Sequence, residues 1–278
     1  MSYGRGNKYA DRKNTGAPHG RDGDKNDGGF NAGGEIIYGR NSVLEALKTG
    51  RSVNKLLFCG DMTGSLGQII SEAKDRGIVV TKSSRDNLDK LTGGANHQGV
   101  LIYVASADYA DVDDIFKVAE ERGEDPFIII LDEIQDAGNL GAIIRTADAV
   151  GAHGIIIPKR RSVPLTAAVA KASSGAVSYV KVARVPNLPA EIENLKKRGL
   201  WILGTDLTGT VKFYDADFKG PVGVVIGSEG YGMGRLVRES CDVVLTIPMA
   251  GGVTSLNASV AAGVVLYEAF KQRRCVNK

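Results

Sequence analysis

Five apolar residues in a row, Phe127-Ile128-Ile129-Ile130-Leu131, and a second run, Gly154-Ile155-Ile156-Ile157, constrain this chain more than any other feature. A strand with one wet face alternates apolar and polar residues, whereas an uninterrupted run needs cover on both faces, as in a parallel sheet flanked by helices. From Pro126 onward the pattern is β-α repeated, with strands expected near 127–131, 154–158, 179–185, 200–204, 222–226 and 243–247. The expected fold class is α/β, with an open parallel sheet over residues 127–274. Ligands of such sheets sit beyond the carboxyl ends of the strands, so function is sought in the loops that follow them.

A smaller α/β unit is expected over residues 35–106. Ser42-Val43-Leu44-Glu45 has capping-box spacing and Gly50 follows the helix. A strand at 53–58, a helix at about 64–75, a strand at 78–80, a helix at about 84–91 and a strand at 100–104 complete the unit. Residues 107–126 carry eight acidic groups against two basic ones and read as an acidic linker with a short helix. Residues 1–34 contain nine glycines and almost no branched aliphatics, the composition of a disordered tail. Its Gly-Arg content suits loose contact with RNA, and a plain solubilising extension explains it as well.

The net charge of +3 neither demands nor opposes a nucleic-acid partner. Cys59, Cys241 and Cys275 are far apart, as are His19, His97 and His153, so neither a disulfide framework, a metal centre nor a hydrolytic triad is expected. No stretch reaches the roughly 18 apolar residues of a membrane span, and a soluble, cytoplasmic protein is expected.

Three loops carry residues that packing does not demand. Asn139-Leu140-Gly141 opens a helix with Leu140, Ile143, Ile144, Ala147 and Val150 on its apolar face, and Arg145 points off that face. Asn139 as a helix cap and Arg145 as a surface partner of Asp148 would explain both without chemistry. The fifth strand runs into Gly227-Ser228-Glu229-Gly230-Tyr231-Gly232-Met233-Gly234, which fails the dinucleotide fingerprint at Arg235 or Val237 and contains no P-loop. A flexible turn is the plain alternative. The last strand leads through Ile247-Pro248-Met249 to Ser255-Leu256-Asn257-Ala258-Ser259-Val260 and an Ala/Gly-rich helix. Leu256, Val260, Val264 and Tyr267 are expected to form its core stripe, which leaves Ser255 and Asn257 unexplained. Lys159-Arg160-Arg161 is a candidate phosphate contact or a solvated loop.

The order and spacing of these three loops resemble those of the SpoU-type RNA ribose 2′-O-methyltransferases. Tyr38-Gly39-Arg40-Asn41-Ser42-Val43 and Asn96-His97-Gln98-Gly99-Val100 make the N-terminal unit similar to the substrate-binding domain of members that act on bacterial large-subunit rRNA. The resemblance spans roughly residues 35–274. It implies a SPOUT-type C-terminal domain with a deep trefoil knot, which periodicity alone does not reveal. It also implies S-adenosyl-L-methionine as cofactor, held by backbone groups around Gly227, Ile247 and Leu256, with Met249 against the adenine and Gly227 and Gly230 kept small to leave the ligand room. Arg145 is then the group that activates the ribose hydroxyl, directly or through the substrate phosphate, from its own or a neighbouring subunit. A guanidinium with a pKa above about 12 is a poor free base, so the expectation is electrostatic activation. Asn139 would position Arg145 or the ribose, and Glu229, Ser255 and Asn257 would order the loops around the site.

The resemblance further implies a homodimer built on residues 127–274, no membrane or metal partner, and an RNA-reading surface that includes Arg40, Lys55 or Arg85. The expected activity is methylation of a guanosine 2′-hydroxyl in large-subunit rRNA. Competing readings are the same chemistry on tRNA or another rRNA nucleotide, a non-catalytic RNA-binding ribosome assembly factor, and a nicotinamide-dependent oxidoreductase, against which the failed glycine fingerprint argues.

Overall fold

The computed structural model describes residues 35–274, which build one sheet of four strands and one of seven. The expected tail at 1–34, with His19, and Cys275 lie outside the described residues.

The first sheet takes β1 (Ile36–Tyr38), β2 (Val53–Phe58), β3 (Val79–Lys82) and β4 (Val100–Val104) in the order β1-β4-β2-β3, connected through α1 (Arg40–Lys48), α2 (Gly64–Asp75) and α3 (Arg85–Thr92). β2 and β3 run parallel, and β4 runs antiparallel to β1 and β2. The core behind it gathers Val43, Leu47, Leu56, Ile69 and Ile102. β1 leaves no trace in the sequence pattern, because three residues are too few to show alternation. α1 starts at Arg40, ahead of Ser42, and no side chain caps it, so the Ser42–Glu45 spacing is not used as a capping box. Its entry is instead made by Gly39 at φ 87°, a conformation glycine adopts without strain. Lys55 sits within β2, opposite Tyr103 and Val79, inside the sheet.

The segment read as a linker carries α4 (Val112–Arg122), whose Ile115 is fully buried in the core of the larger sheet. That sheet contains β5 (Phe127–Leu131), β6 (Gly154–Pro158), β7 (Lys181–Val185), β8 (Trp201–Thr205), β9 (Val211–Lys212), β10 (Val222–Ile226) and β11 (Val243–Thr246) in the order β7-β6-β5-β10-β8-β11-β9, paired in parallel throughout. In the β5 run, Phe127, Ile129 and Leu131 point to a face covered by α5 (Ala137–Ala149), α6 (Ala167–Ala172) and α9 (Ala258–Arg274). Ile128 and Ile130 point to the other, covered by α4, α7 (Leu188–Lys197) and α8 (Arg235–Ser240). Both parities are buried, so both must be apolar; each buried side chain contributes roughly 1.5–3 kcal/mol.

Two expectations are corrected in this half. The strand expected from 179 begins at Lys181, after a 3₁₀ turn at Ala176–Ser178 that leaves Tyr179 78% exposed. On α9 the stripe is reversed: Ala258, Ala262, Val265, Leu266 and Ala269 are buried, while Val260 and Tyr267 are 51% and 54% exposed. α9 packs against α5, and small side chains let two helices approach closely, so Ala258, Ala262 and Ala269 face inward beside Val265 and Leu266, while Val260 and Tyr267 turn out.

A polar junction ties the two sheets together. The Tyr109 hydroxyl donates to Asn54 Oδ1 (2.8 Å) and accepts from the Leu165 N–H (2.8 Å), while the Asn54 amide donates to Leu165 O (3.1 Å). Arg184 donates to Asn54 O (3.3 Å) and lies 4.8 Å from the Tyr109 ring centre. Burial pushes the Tyr109 hydroxyl above its usual pKa. Lys159 Nζ donates to Gly77 O (2.9 Å), and burial lowers its pKa. The first residue of the Lys159-Arg160-Arg161 run therefore serves this junction, and Arg161 pairs with Glu133 (2.9 Å).

Candidate active site

Parallel strands end together, and the loops after β8, β10 and β11 enclose a cavity of about 360 Å³. That size falls in the roughly 300–1,000 Å³ range of small-molecule pockets. Its walls combine apolar side chains, among them Ile226, Leu245, Ile247, Met249, Leu256 and Ala261, with the backbone of the 227–233 loop.

The loop after β10 folds on itself. Ser228 and Gly232 exchange both backbone hydrogen bonds (2.9 Å each), and Gly232 takes φ 64°. A Cβ on Gly227 would stand 2.3 Å from Gly232 C and 2.4 Å from Met233 N. Gly227 is thus required by the loop's own backbone, before any ligand enters. Around Gly230 nothing lies within 4 Å of such a Cβ, so this position carries no comparable constraint.

Three segments distant along the chain meet beside the cavity. α5 begins two residues before Asn139 and is capped by Asp136, which accepts from the Asn139 N–H (2.8 Å). Relieved of capping, the Asn139 side chain donates to Glu229 Oε1 (2.8 Å) and accepts from Asn257 Nδ2 (2.9 Å). Asn257 Nδ2 and the Ala258 N–H (3.3 Å) also donate to Glu229 Oε1. Asn257 Oδ1 in turn accepts from Ser259 N (3.0 Å), Ser259 Oγ (2.6 Å) and Val260 N (3.3 Å), which fixes the start of α9. These donors converge on one carboxylate oxygen, so Glu229 joins the first, second and third loops.

Of the expected site residues, Gly227, Glu229, Gly230, Ile247, Met249, Ser255 and Leu256 line the cavity. Asn139 and Asn257 stand behind Glu229. Arg145 does not line the cavity within one chain; it lies six residues beyond Asn139, roughly 9 Å along α5, and donates to Ser174 Oγ (3.2 Å).

Two carboxylates at strand ends escaped the sequence reading. Asp132, directly after β5, is 5% exposed, and its Oδ2 accepts from the Gly234 N–H (2.7 Å), anchoring the far end of the glycine loop. Burial raises its pKa, against the opposing Gly234 hydrogen bond. Asp206, directly after β8, lines the cavity and accepts from Thr208 N (2.9 Å) and Thr208 Oγ1 (2.6 Å). Burial raises its pKa, but the Thr208 hydrogen bonds and nearby Arg238 outweigh that and hold it below the usual range. An acid following an apolar strand run was the available signal for both.

The fold and the site define a parallel-sheet α/β protein with a cofactor-sized cleft at the strand carboxyl ends. Residues 126–267 match the model of the SpoU rRNA Methylase family, and residues 36–110 match that of RNA 2′-O ribose methyltransferase substrate binding. A Bacillus subtilis protein, provisionally named as the TrmH family tRNA/rRNA methyltransferase YacO, is 50% identical over 88% of this chain and 98% of its own. Among solved structures, the SpoU methyltransferase AviRb of Streptomyces viridochromogenes in complex with AdoMet is 28% identical, with a TM-score of 0.55 over 89% of this chain and 95% of its own. The AdoMet-bound rRNA methyltransferase of Sinorhizobium meliloti is also 28% identical, with a TM-score of 0.54 over 85% of this chain and 86% of its own. The chain belongs to the SpoU family of RNA methyltransferases.

Proposed function

We propose that this chain, an S-adenosyl-L-methionine-dependent RNA methyltransferase, methylates a ribose 2′-hydroxyl, and that its target is a guanosine of large-subunit rRNA. The observation that carries the reading is the convergence of Asn139, Glu229 and Asn257 beside the cavity bounded by Gly227, Ile247 and Leu256. The residues present fit the cofactor. Ile247, Met249 and Leu256 offer an apolar wall for a purine, backbone groups of the 227–232 loop offer hydrogen bonds, and the Glu229 and Asp206 carboxylates suit a ligand carrying positive charge. When bound, S-adenosylmethionine supplies a methyl group already activated by the sulfonium.

The remaining demand falls on the ribose hydroxyl, which becomes nucleophilic only as its proton leaves. Arg145 is the group we assign to stabilise the developing alkoxide, because a guanidinium holds its charge at every working pH and offers a forked pair of donors. Asn139, on the same helix, links its position to the Glu229 junction. Arg145 is absent from the cavity wall of its own chain, which supports a homodimer in which a second copy presents it. The exposed Val260 and Tyr267 on α9 give that dimer an apolar face. The trefoil knot belongs to the same reading, with the segment between β11 and α9 threaded beneath the glycine loop. The family model's description as an rRNA methylase supports rRNA as the target, and the unit at residues 36–110 supports an RNA substrate.

The test is transfer of tritiated methyl from the cofactor to rRNA and tRNA fractions taken from a strain lacking the gene, followed by alkaline hydrolysis, which 2′-O-methylation blocks. Label in an alkali-resistant dinucleotide from large-subunit rRNA, with guanosine at its 5′ side, is expected. Label confined to tRNA would move the target, and label lost to alkali would refute ribose methylation.

A further inference from the structure

On the exposed side of α5, Arg145 meets the turn that follows α6. Its Nη1 donates to Ser174 Oγ (3.2 Å), and among the described residues neither a hydrogen bond nor an ion pair joins it to Asp148. The surface pairing that would have given Arg145 a purely local role is therefore missing.

Ser174 stands where glycine is the easier residue. Its φ is 52°, a left-handed backbone that a residue with a Cβ adopts at a cost, and Gly175 follows at φ 88°. Main-chain bonds close the turn, from Ser174 N to Lys171 O (3.1 Å), Gly175 N to Ala170 O (3.3 Å) and Ala176 N to Ser173 O (3.1 Å). Ser173 beside it is fully buried, and its Oγ donates to Ala170 O (2.9 Å). The path of the chain is thus set without the Ser174 hydroxyl. Among the described residues that hydroxyl has one partner, Arg145. A side chain kept at a strained position whose backbone is satisfied elsewhere directs attention to what the side chain holds.

Packing brings the two partners together independently of their own bond. Gly141, one turn before Arg145 on α5, lies against the end of α6, where a Cβ would stand 2.4 Å from Ala172 Cβ and 2.9 Å from both Ala172 C and Ser173 N. Residues four apart share a helix face, so this close approach carries Ser174 up beside Arg145. The start of α6 is held as well. Thr166 Oγ1 accepts from the Val169 N–H (3.4 Å), and Leu165 belongs to the junction with Asn54 and Tyr109.

We infer that Ser174 is a positioning residue for Arg145. Its hydroxyl accepts from one guanidinium nitrogen and leaves the other N–H groups free to face RNA. Because the acceptor is neutral, the guanidinium is oriented without its charge being cancelled, as a carboxylate would cancel it. A long arginine side chain loses much rotamer freedom when ordered, and ordering it beforehand removes that cost from the transition state. The inference rests on the reading of Arg145 as the group that stabilises the developing alkoxide, and adds the residue that orients it.

The experiment uses the full chain and the variants Ser174→Ala, Ser174→Gly, Ser174→Asn, Arg145→Ala and Arg145→Ala/Ser174→Ala. Methyl transfer to total RNA from a strain lacking the gene gives kcat and KM, calorimetry gives cofactor affinity, and urea unfolding gives stability. Ser174→Ala keeps the Cβ and every main-chain bond, so stability and cofactor affinity should match the native chain. Its kcat should fall by about three- to tenfold, with KM for RNA changed by less than about twofold. Ser174→Gly should lose the same rate with equal or greater stability, which separates the hydroxyl from the backbone. Asparagine tolerates the left-handed region and offers a carbonyl oxygen, so Ser174→Asn should recover most of the rate. On the Arg145→Ala background, Ser174→Ala should cost nothing further. Native kcat in both Ser174→Ala and Ser174→Gly overturns the inference, as does a full additional loss on the Arg145→Ala background. If Arg145→Ala itself keeps native kcat, the assignment of Arg145 fails and that of Ser174 with it. If Arg145→Ala loses transfer while the Ser174 variants retain it, the positioning role alone is refuted.

Discussion

Replacing Gly227 with alanine tests whether the glycine loop is shaped by its own backbone or by the ligand. The added methyl would lie 2.3–2.5 Å from Gly232 C, Met233 N and Gly232 O, all main-chain atoms that cannot rotate away. Relief requires opening the Ser228–Gly232 pair, two backbone hydrogen bonds worth about 0.5–1.5 kcal/mol each, with about 1–3 kcal/mol of packing strain in addition. The total is about 2–6 kcal/mol. If it falls on the loop alone, cofactor affinity drops at least about thirtyfold, since about 1.4 kcal/mol corresponds to a factor of ten. Calorimetry with S-adenosylmethionine, alongside urea unfolding, separates a local from a global loss. Gly230→Ala, with nothing within 4 Å of the new methyl, should bind as the native chain does. Equal, undiminished affinity and stability in both variants would show that the loop backbone does not set the pocket, and equal losses in both would return the explanation to ligand space.

Other outcomes follow from the same geometry. Arg145→Lys should lower methyl transfer by about a hundredfold or more with cofactor affinity unchanged, because the charge stays and the forked donors go; full activity would remove its special role. Glu229→Ala leaves the Asn139 and Asn257 amides without their shared acceptor, and should weaken cofactor binding measured by calorimetry by about tenfold or more, whereas Ser255→Ala should change it little. His153 is 2% exposed, and burial lowers its pKa despite the opposing Glu124 hydrogen bond. Its folded pKa lies below its unfolded one, so its contribution is present above about pH 6.5 and is lost as pH falls toward the folded value. Unfolding free energies measured between pH 7.5 and 5 should fall with a slope of at most about 1.4 kcal/mol per pH unit from this group, and His153→Gln should lack that component.

The larger sheet was legible because both faces of β5 and β6 are covered, which writes the same message at every position of Phe127–Leu131. β1 and β9, of three and two residues, were not, since no period fits so short a run. α9 was recognised as a helix but its buried face was misplaced, because hydrophobicity ranks Val260 and Tyr267 above alanine, while the face that packs takes Ala258, Ala262 and Ala269 together with Val265 and Leu266. Asn257 stood out as a polar residue without a packing role, whereas Asn139 had a plain explanation as a helix cap and Glu229 was singled out only by the family resemblance. That they share one carboxylate oxygen is a fact of three dimensions, and Asp132 and Asp206 show how an ordinary acid becomes a loop anchor once a strand end buries it.

Tyr109, Asn54, Leu165 and Arg184 weld the smaller sheet to the larger through hydrogen bonds rather than a slack tether. A ruler is rigid between its marks. On the proposed function, an RNA that touches the smaller unit and is modified at the larger would have to bring its own curvature to the span these bonds fix, so that its shape would enter into the choice of nucleotide.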